Sequence, residues 1–182
     1  MDIILIRHGE SKQNAGLEKE NFDSSLTKKG IKQAEALGRK LKKEKISKIY
    51  TSNLMRAKQT AQIISKINNT SNIKYLEGLN EYPGKHLRQR WRWFFNKRLK
   101  ELKKLIKEIS KEKEKDKTIL IVAHGITNRI LLGYFLEIPL KKQLLFFKQH
   151  NTGVSVIHWS KLYKNWSLES MNDISHLSRR LN

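Results

Sequence analysis

Hydrophobic positions along this chain alternate between short unbroken runs and longer stretches where they recur every three or four residues. Ile3, Ile4, Leu5 and Ile6 form the first run. It is short and rich in β-branched residues, the pattern of a central strand covered on both faces. Residues 15–26 read as a loop. Thr27 is a fitting N-cap for a helix carrying Ile31, Ala34, Leu37 and Leu41 on its buried face and Lys32, Arg39, Lys40 and Lys43 in solvent. Lys48-Ile49-Tyr50-Thr51 predicts a second strand. Ser52-Asn53 then leads into a helix with Leu54, Ala57, Ala61, Ile64 and Ile67 on one stripe. Ile73 to Leu76 predicts a third strand.

From Lys85 to about Lys115 the spacing turns helical again, through Trp91, Phe94, Phe95, Leu99, Leu102, Leu105, Ile106 and Ile109. The charged run 111–117 closes that helix as a solvated end. Thr118 to Ala123 is the most apolar run of the chain. It ends in His124-Gly125 and is followed by a helix from Ile126 to Glu137, halted before Pro139. Leu144 to Lys148, Val154 to Trp159 and Trp166 to Glu169 predict later strands, the last two as a hairpin. The tail after Asp173 has no assignable pattern.

Strands alternating with helices predict an α/β fold: a three-layer sandwich with a mostly parallel central sheet and helices on both faces. At 182 residues the chain suits one domain, residues 1–182, with a short helical insertion at about 85–116. No apolar run is long enough to span a membrane. With Asp2 and only four apolar residues before Arg7, the first residues lack a signal-peptide pattern, so a cytoplasmic location is expected. The absence of cysteine rules out disulfides and thiolate metal sites. The net charge of +21, from 38 Lys and Arg against 17 Asp and Glu, changes less than its size suggests. The lysines are spread over every segment, which favours a basic surface without a dedicated nucleic-acid partner over a localised polyanion site.

Two apolar runs end in the same way, with histidine then glycine. In a parallel sheet the carboxyl ends of the strands share one rim, where ligands bind. That rim would gather Arg7, His8, Arg56, Glu81 and His124. Gly9 suits a tight turn, and Ser11 is placed to cap a following helix. Arg56 falls in the first turn of its helix, where a cation opposes the helix dipole unless it holds an anion. Guanidinium forks match phosphate oxygens in pairs. A histidine among them can attack phosphorus, a second can donate to the oxygens, and a carboxylate can protonate the leaving alkoxide. Glu77 competes with Glu81 for the last role. Two histidines and an acid can also bind a divalent metal, but flanking arginines would repel it. Arg88, Arg90 and Arg92, interleaved with Trp91 and Trp93, read either as a packed stripe with snorkelling arginines, as a second anion site, or as a base-stacking surface.

The motifs together resemble the histidine phosphatase superfamily, the phosphoglycerate-mutase-like enzymes. They are Arg7-His8-Gly9-Glu10-Ser11 with Asn14; Leu26-Thr27 with Gly30, Gln33 and Ala34; Thr51-Ser52-Asn53-Leu54-Met55-Arg56-Ala57 with Gln59-Thr60-Ala61; Leu79-Asn80-Glu81; Val122-Ala123-His124-Gly125; Asn151-Thr152-Gly153-Val154-Ser155-Val156; and Asn172 with His176-Leu177. The resemblance spans nearly the whole chain. It implies that His8 becomes phosphohistidine, that Arg7, Asn14, Arg56 and His124 hold the phosphoryl group, and that Glu81 is the proton donor. It implies no metal and no cofactor, and a small-molecule phosphate ester as substrate. Gln13 stands where mutases of the family usually have tryptophan, and Tyr82-Pro83-Gly84-Lys85-His86 replaces the segment that usually follows the glutamate. The stretch between Glu81 and His124 is also short. These departures favour a phosphatase over a 2,3-bisphosphoglycerate-dependent phosphoglycerate mutase. A basic nucleic-acid or protein-binding module on an inactive phosphatase scaffold is the alternative from another class.

Overall fold

The computed structural model describes residues 1–18, 21–81, 92–139, 142–143 and 147–181, with the side chains of 92–95 excepted. Six strands form one sheet: β1 (Asp2–Arg7), β2 (Ile46–Ser52), β3 (Ile73–Leu76), β4 (Thr118–Ala123), β5 (Val154–Ser160) and β6 (Asn165–Asp173). Their order is β3-β2-β4-β1-β5-β6. The first four are mutually parallel, and β5 and β6 add an antiparallel hairpin against β1. The helices are α1 (Lys28–Lys40), α2 (Met55–Asn68), α3 (Arg92–Ser110) and α4 (Gly125–Phe135).

Strand alternation explains how an all-apolar run serves two layers. Ile4 and Ile6 of β1, with Leu120 and Val122 of β4, pack under Leu37 of α1 and Ala57, Ala61 and Ile64 of α2. Ile3 and Leu5, with Ile119 and Ile121, face the opposite way. They meet Leu102, Leu105 and Ile109 of α3 and Ile130, Leu131 and Phe135 of α4. Removing one such side chain costs about 2–5 kcal/mol. The expected three-layer sandwich is therefore present, with β1 and β4 adjacent at its centre.

Several local expectations hold and some do not. Thr27 caps α1, its hydroxyl accepting from the Gly30 N–H at 2.9 Å. Ile31 is 39% exposed and does not join the α1 core face. No helix follows Ser11, which bridges to Leu26 and whose hydroxyl closes a turn by accepting the Asn14 N–H. Gly9 has no left-handed backbone. Its need is for space, since a methyl group there would stand 2.6 Å from the Gly30 carbonyl oxygen. Phe147 and Lys148 are not in a strand; residues 144–146 lie outside the described ones. So do Arg88, Arg90 and the side chain of Arg92.

The unassigned tail packs against the molecule. Lys40 at the end of α1 pairs with Asp173 and donates to Ser175. The Gln33 amide reaches the Leu181 carbonyl at 2.6 Å. His176 bonds to Thr152, directly behind the end of β1. Among the described residues no helix is long and apolar enough to cross a membrane.

Candidate active site

β1 and β4 run side by side in register, Arg7 opposite Ala123, so their next residues leave the sheet together. The rings of His8 and His124 lie 4.9 Å apart. Both are buried. Arg56 enters from α2, held in the first turn as expected, and its Nε donates to His8 Nε2 at 3.1 Å. The acid that the helix start calls for comes from the loop: Asp23 accepts the Met55 N–H at 2.5 Å. The Phe22 carbonyl takes Arg56 Nη1, and the Phe22 ring stacks 5.5 Å from the guanidinium.

His8 has one consistent proton arrangement. Its Nδ1 donates to the Gly9 carbonyl at 2.7 Å, and its Nε2 accepts from Arg56. A carbonyl cannot donate and a guanidinium cannot accept, so Nε2 carries a lone pair. Burial, then the charges of Arg56 and Arg7, hold the His8 pKa well below its usual value against the opposing bond to Gly9. The loop itself is fastened by the Gly9 N–H donating to Thr60 Oγ1 and by Asn151 Nδ2 donating to the His8 carbonyl.

Arg7 donates from Nη1 to the Gln149 carbonyl at 2.8 Å. Gln149 is fixed in turn by its buried side chain, which takes Asn128 Nδ2 and reaches the Leu5 and Gly153 carbonyls. Burial lowers the pKa of Arg7 and of Arg56, and Glu81 acts on both in the opposite sense. Glu81 follows a single 3₁₀ turn (Glu77–Leu79) at the rim. Its Oε1 lies 3.4 Å from the N–H and the hydroxyl of Thr127 in the first turn of α4, and its carbonyl accepts from Arg98 of α3. Glu77 instead lines a cavity beside α3, with Tyr75, Glu101 and Glu108. The structure thus brings Arg7, His8, Arg56, Glu81 and His124 to one place and sets Glu77 aside. Asn14 is exposed at the edge, its Oδ1 accepting from Asn151 at 3.2 Å.

Gln149, Asn151, Thr127 and Arg98 are among the contributors that had no role assigned from sequence. Asn151 stood in a recognisable motif. Arg98 sat unmarked among the cations of α3, yet its charge helps depress the pKa of His124. Among the described residues no group of three or more His, Cys, Asp or Glu side chains is arranged to hold a metal ion.

The comparisons agree with this geometry. The Arabidopsis thaliana protein named "Metal-independent phosphoserine phosphatase" is 26% identical over 97% of this chain and 83% of its own length. The Photorhabdus laumondii protein named "Probable phosphoglycerate mutase GpmB" is 28% identical over 97% of this chain and 95% of its own. The crystal structure of Entamoeba histolytica phosphoserine phosphatase in complex with 3-phosphoglyceric acid superposes with a TM-score of 0.76 at 26% identity, covering 97% of this chain and 99% of that one. Residues 3–98 and 95–174 match the histidine phosphatase superfamily (branch 1). A basic rim with two buried imidazoles, carried on this sheet order and matched over almost the full length, places the chain in that superfamily.

Proposed function

We propose that the chain is a metal-independent phosphomonoesterase that works through a phosphohistidine on His8. The observation that carries the reading is the proton arrangement of His8, with Nδ1–H locked on the Gly9 carbonyl and the Nε2 lone pair held among arginines. In the first step Nε2 attacks phosphorus while Arg56, staying protonated, redirects its Nε–H hydrogen bond from that nitrogen to a phosphoryl oxygen. Arg7 and Asn14 bind the remaining oxygens, and Glu81, carrying a proton, gives it to the leaving alkoxide. The phosphorylated ring keeps its Nδ1–H on Gly9, which spreads the positive charge the new N–P bond creates. In the second step Glu81 takes a proton from water as the water attacks phosphorus, restoring His8 and its own carboxyl group.

The relatives' names favour a small phosphorylated acid, with phosphoserine and 3-phosphoglycerate the first compounds to try. Arg98, whose charge acts on His124, adds to the positive charge available to an anionic substrate. The test is hydrolysis of p-nitrophenyl phosphate with a chelator present, together with trapping of an acid-labile phosphoenzyme. His8→Ala is expected to abolish both, and full turnover in that variant would end the reading. The mutase-named relative supports a second reading. It predicts phosphoryl exchange between glycerate positions with little free phosphate, which product analysis separates.

A further inference from the structure

His124 has an equally definite proton arrangement, opposite to that of His8. Its Nε2 lies 2.8 Å from Ser52 Oγ at the end of β2. Ser52 Oγ also lies 2.8 Å from Asn80 Oδ1, and that same Asn80 atom accepts the Asn53 N–H at 2.8 Å. The second contact fixes the Asn80 atom as oxygen, so the single hydroxyl proton of Ser52 must go to it. Ser52 Oγ then accepts from the Leu54 N–H at 3.1 Å and from His124 Nε2–H. The neutral imidazole is left with its lone pair on Nδ1, a fully buried atom with no hydrogen-bond partner. A lone pair repels a phosphoryl oxygen. His124 can therefore contribute to an oxyanion only after Nδ1 gains a proton.

We propose that Ser52, anchored by the Asn80 amide, is a positioning residue that keeps the His124 proton on Nε2, so that an anion binds at this site together with one proton taken up on Nδ1. The inference rests on the phosphatase reading for the location of the anion. Bound, the imidazolium donates from Nδ1 to the anion and from Nε2 to Ser52, with both bonds satisfied. The titratable groups around the ring are Arg7 and the neutral His8 from the end of β1, Arg56 from α2, Arg98 from α3 and Glu81 beside Gly125. The cations and the burial oppose protonation while the site is empty, which makes the incoming dianion the event that reverses the balance.

Sulfate is the probe, because it is tetrahedral and carries no proton of its own near neutrality. Calorimetry at pH 7.5 in buffers of different ionisation enthalpy is expected to give close to one proton taken up per sulfate. Glu81→Gln, which cannot take a proton, must retain that uptake. Long-range ¹H–¹⁵N spectra should show His124 protonated at Nε2 alone before sulfate and at both nitrogens after it, with His8 protonated at Nδ1 throughout. In Ser52→Ala the free ring can place its proton on Nδ1 and donate without uptake, so uptake should fall toward zero and sulfate affinity should lose its roughly tenfold decline per pH unit. Ser52→Thr should restore both, and an unchanged His8 spectrum reports that the fold is intact. Sulfate binding without proton uptake in an enzyme that still turns over overturns the Ser52 relay and leaves the phosphatase reading standing. Absence of both turnover and anion binding overturns the two together.

Discussion

The ends of β1 and β4 are nearly the same in sequence, an apolar run followed by histidine and glycine, and they differ in almost every physical respect. His8 keeps its proton on Nδ1 because a backbone carbonyl one residue away demands it; His124 keeps its proton on Nε2 because of a serine 72 residues away. Gly9 is forced by the Gly30 backbone, whereas a methyl group on Gly125 would stand 3.9 Å from Arg7 Nε and 4.0 Å from Glu81 Oε2, ordinary contact distances. The β1 end is buttressed by Thr152 and Asn151 before the antiparallel hairpin; the β4 end is buttressed by β2 and the 3₁₀ turn. One end is arranged to present a lone pair, the other to accept a proton. A repeated motif thus delivers two histidines to one place without giving them one role.

The asymmetry is tested hardest at Glu81, whose carboxylate meets Thr127 in the first turn of α4. Glu81→Gln is expected to lower hydrolysis of an alkyl phosphate by about 10²–10⁴-fold, since a poor leaving group needs the proton. p-Nitrophenyl phosphate, whose leaving group needs little help, should suffer far less. Equal losses on both substrates would remove Glu81 from the proton transfer. Next comes Arg56→Ala, with a loss of about 10²–10³ in kcat from one missing donor to the oxyanion. Because Arg56 depresses the His8 pKa, its removal should also move the acid limb of the pH–rate profile to higher pH. An unmoved limb would break the link between the arginine and the nucleophile's proton.

Much of this was readable from sequence because it is local. The β1 and β4 runs, the Thr27 cap and the placement of Arg56 in a first helical turn all depend on neighbours within a few residues, and all stand in the structure. The gathering of Arg7, His8, Arg56, Glu81 and His124 follows from parallel strands sharing a rim. What stayed hidden depends on partners far along the chain. The Ser52–Asn80–His124 chain joins residues 28 and 72 positions apart, and Gln149 reaches Leu5 across 144. Ile31 was misplaced because helical spacing marks a stripe but not its width.

The two glycines separate the ends by stability rather than by rate. Gly9→Ala must displace the Gly30 backbone and is expected to cost about 3 kcal/mol, since neither partner is a flexible side chain. Gly125→Ala, in the first turn of α4, should change stability by less than about 1 kcal/mol. Chemical denaturation of the pair reads the difference directly. Similar losses would mean that the two turns are under the same constraint after all.

The smallest effect concerns the β1 end alone. Thr152 donates its N–H to the Arg7 carbonyl and its hydroxyl to the Asn151 carbonyl, so its oxygen must accept from His176 Nε2–H. Burial first, then Lys40, holds the His176 pKa at about 4, with Asp173 opposing. The unfolded chain, with an ordinary histidine pKa near 6.5, therefore binds a proton that the folded chain refuses between those values. Stability contributed by this contact is full above about pH 6.5 and drains away as pH falls toward 4. The melting temperature of the native chain should drop more between pH 7 and 5 than that of His176→Gln, in which a neutral amide donates in the same place at every pH. The tail contact is made to Thr152 at the β1 end, so Ser52→Ala should leave this pH slope untouched. If Ser52→Ala flattened it, the two strand ends would be one coupled unit rather than two separately held histidines.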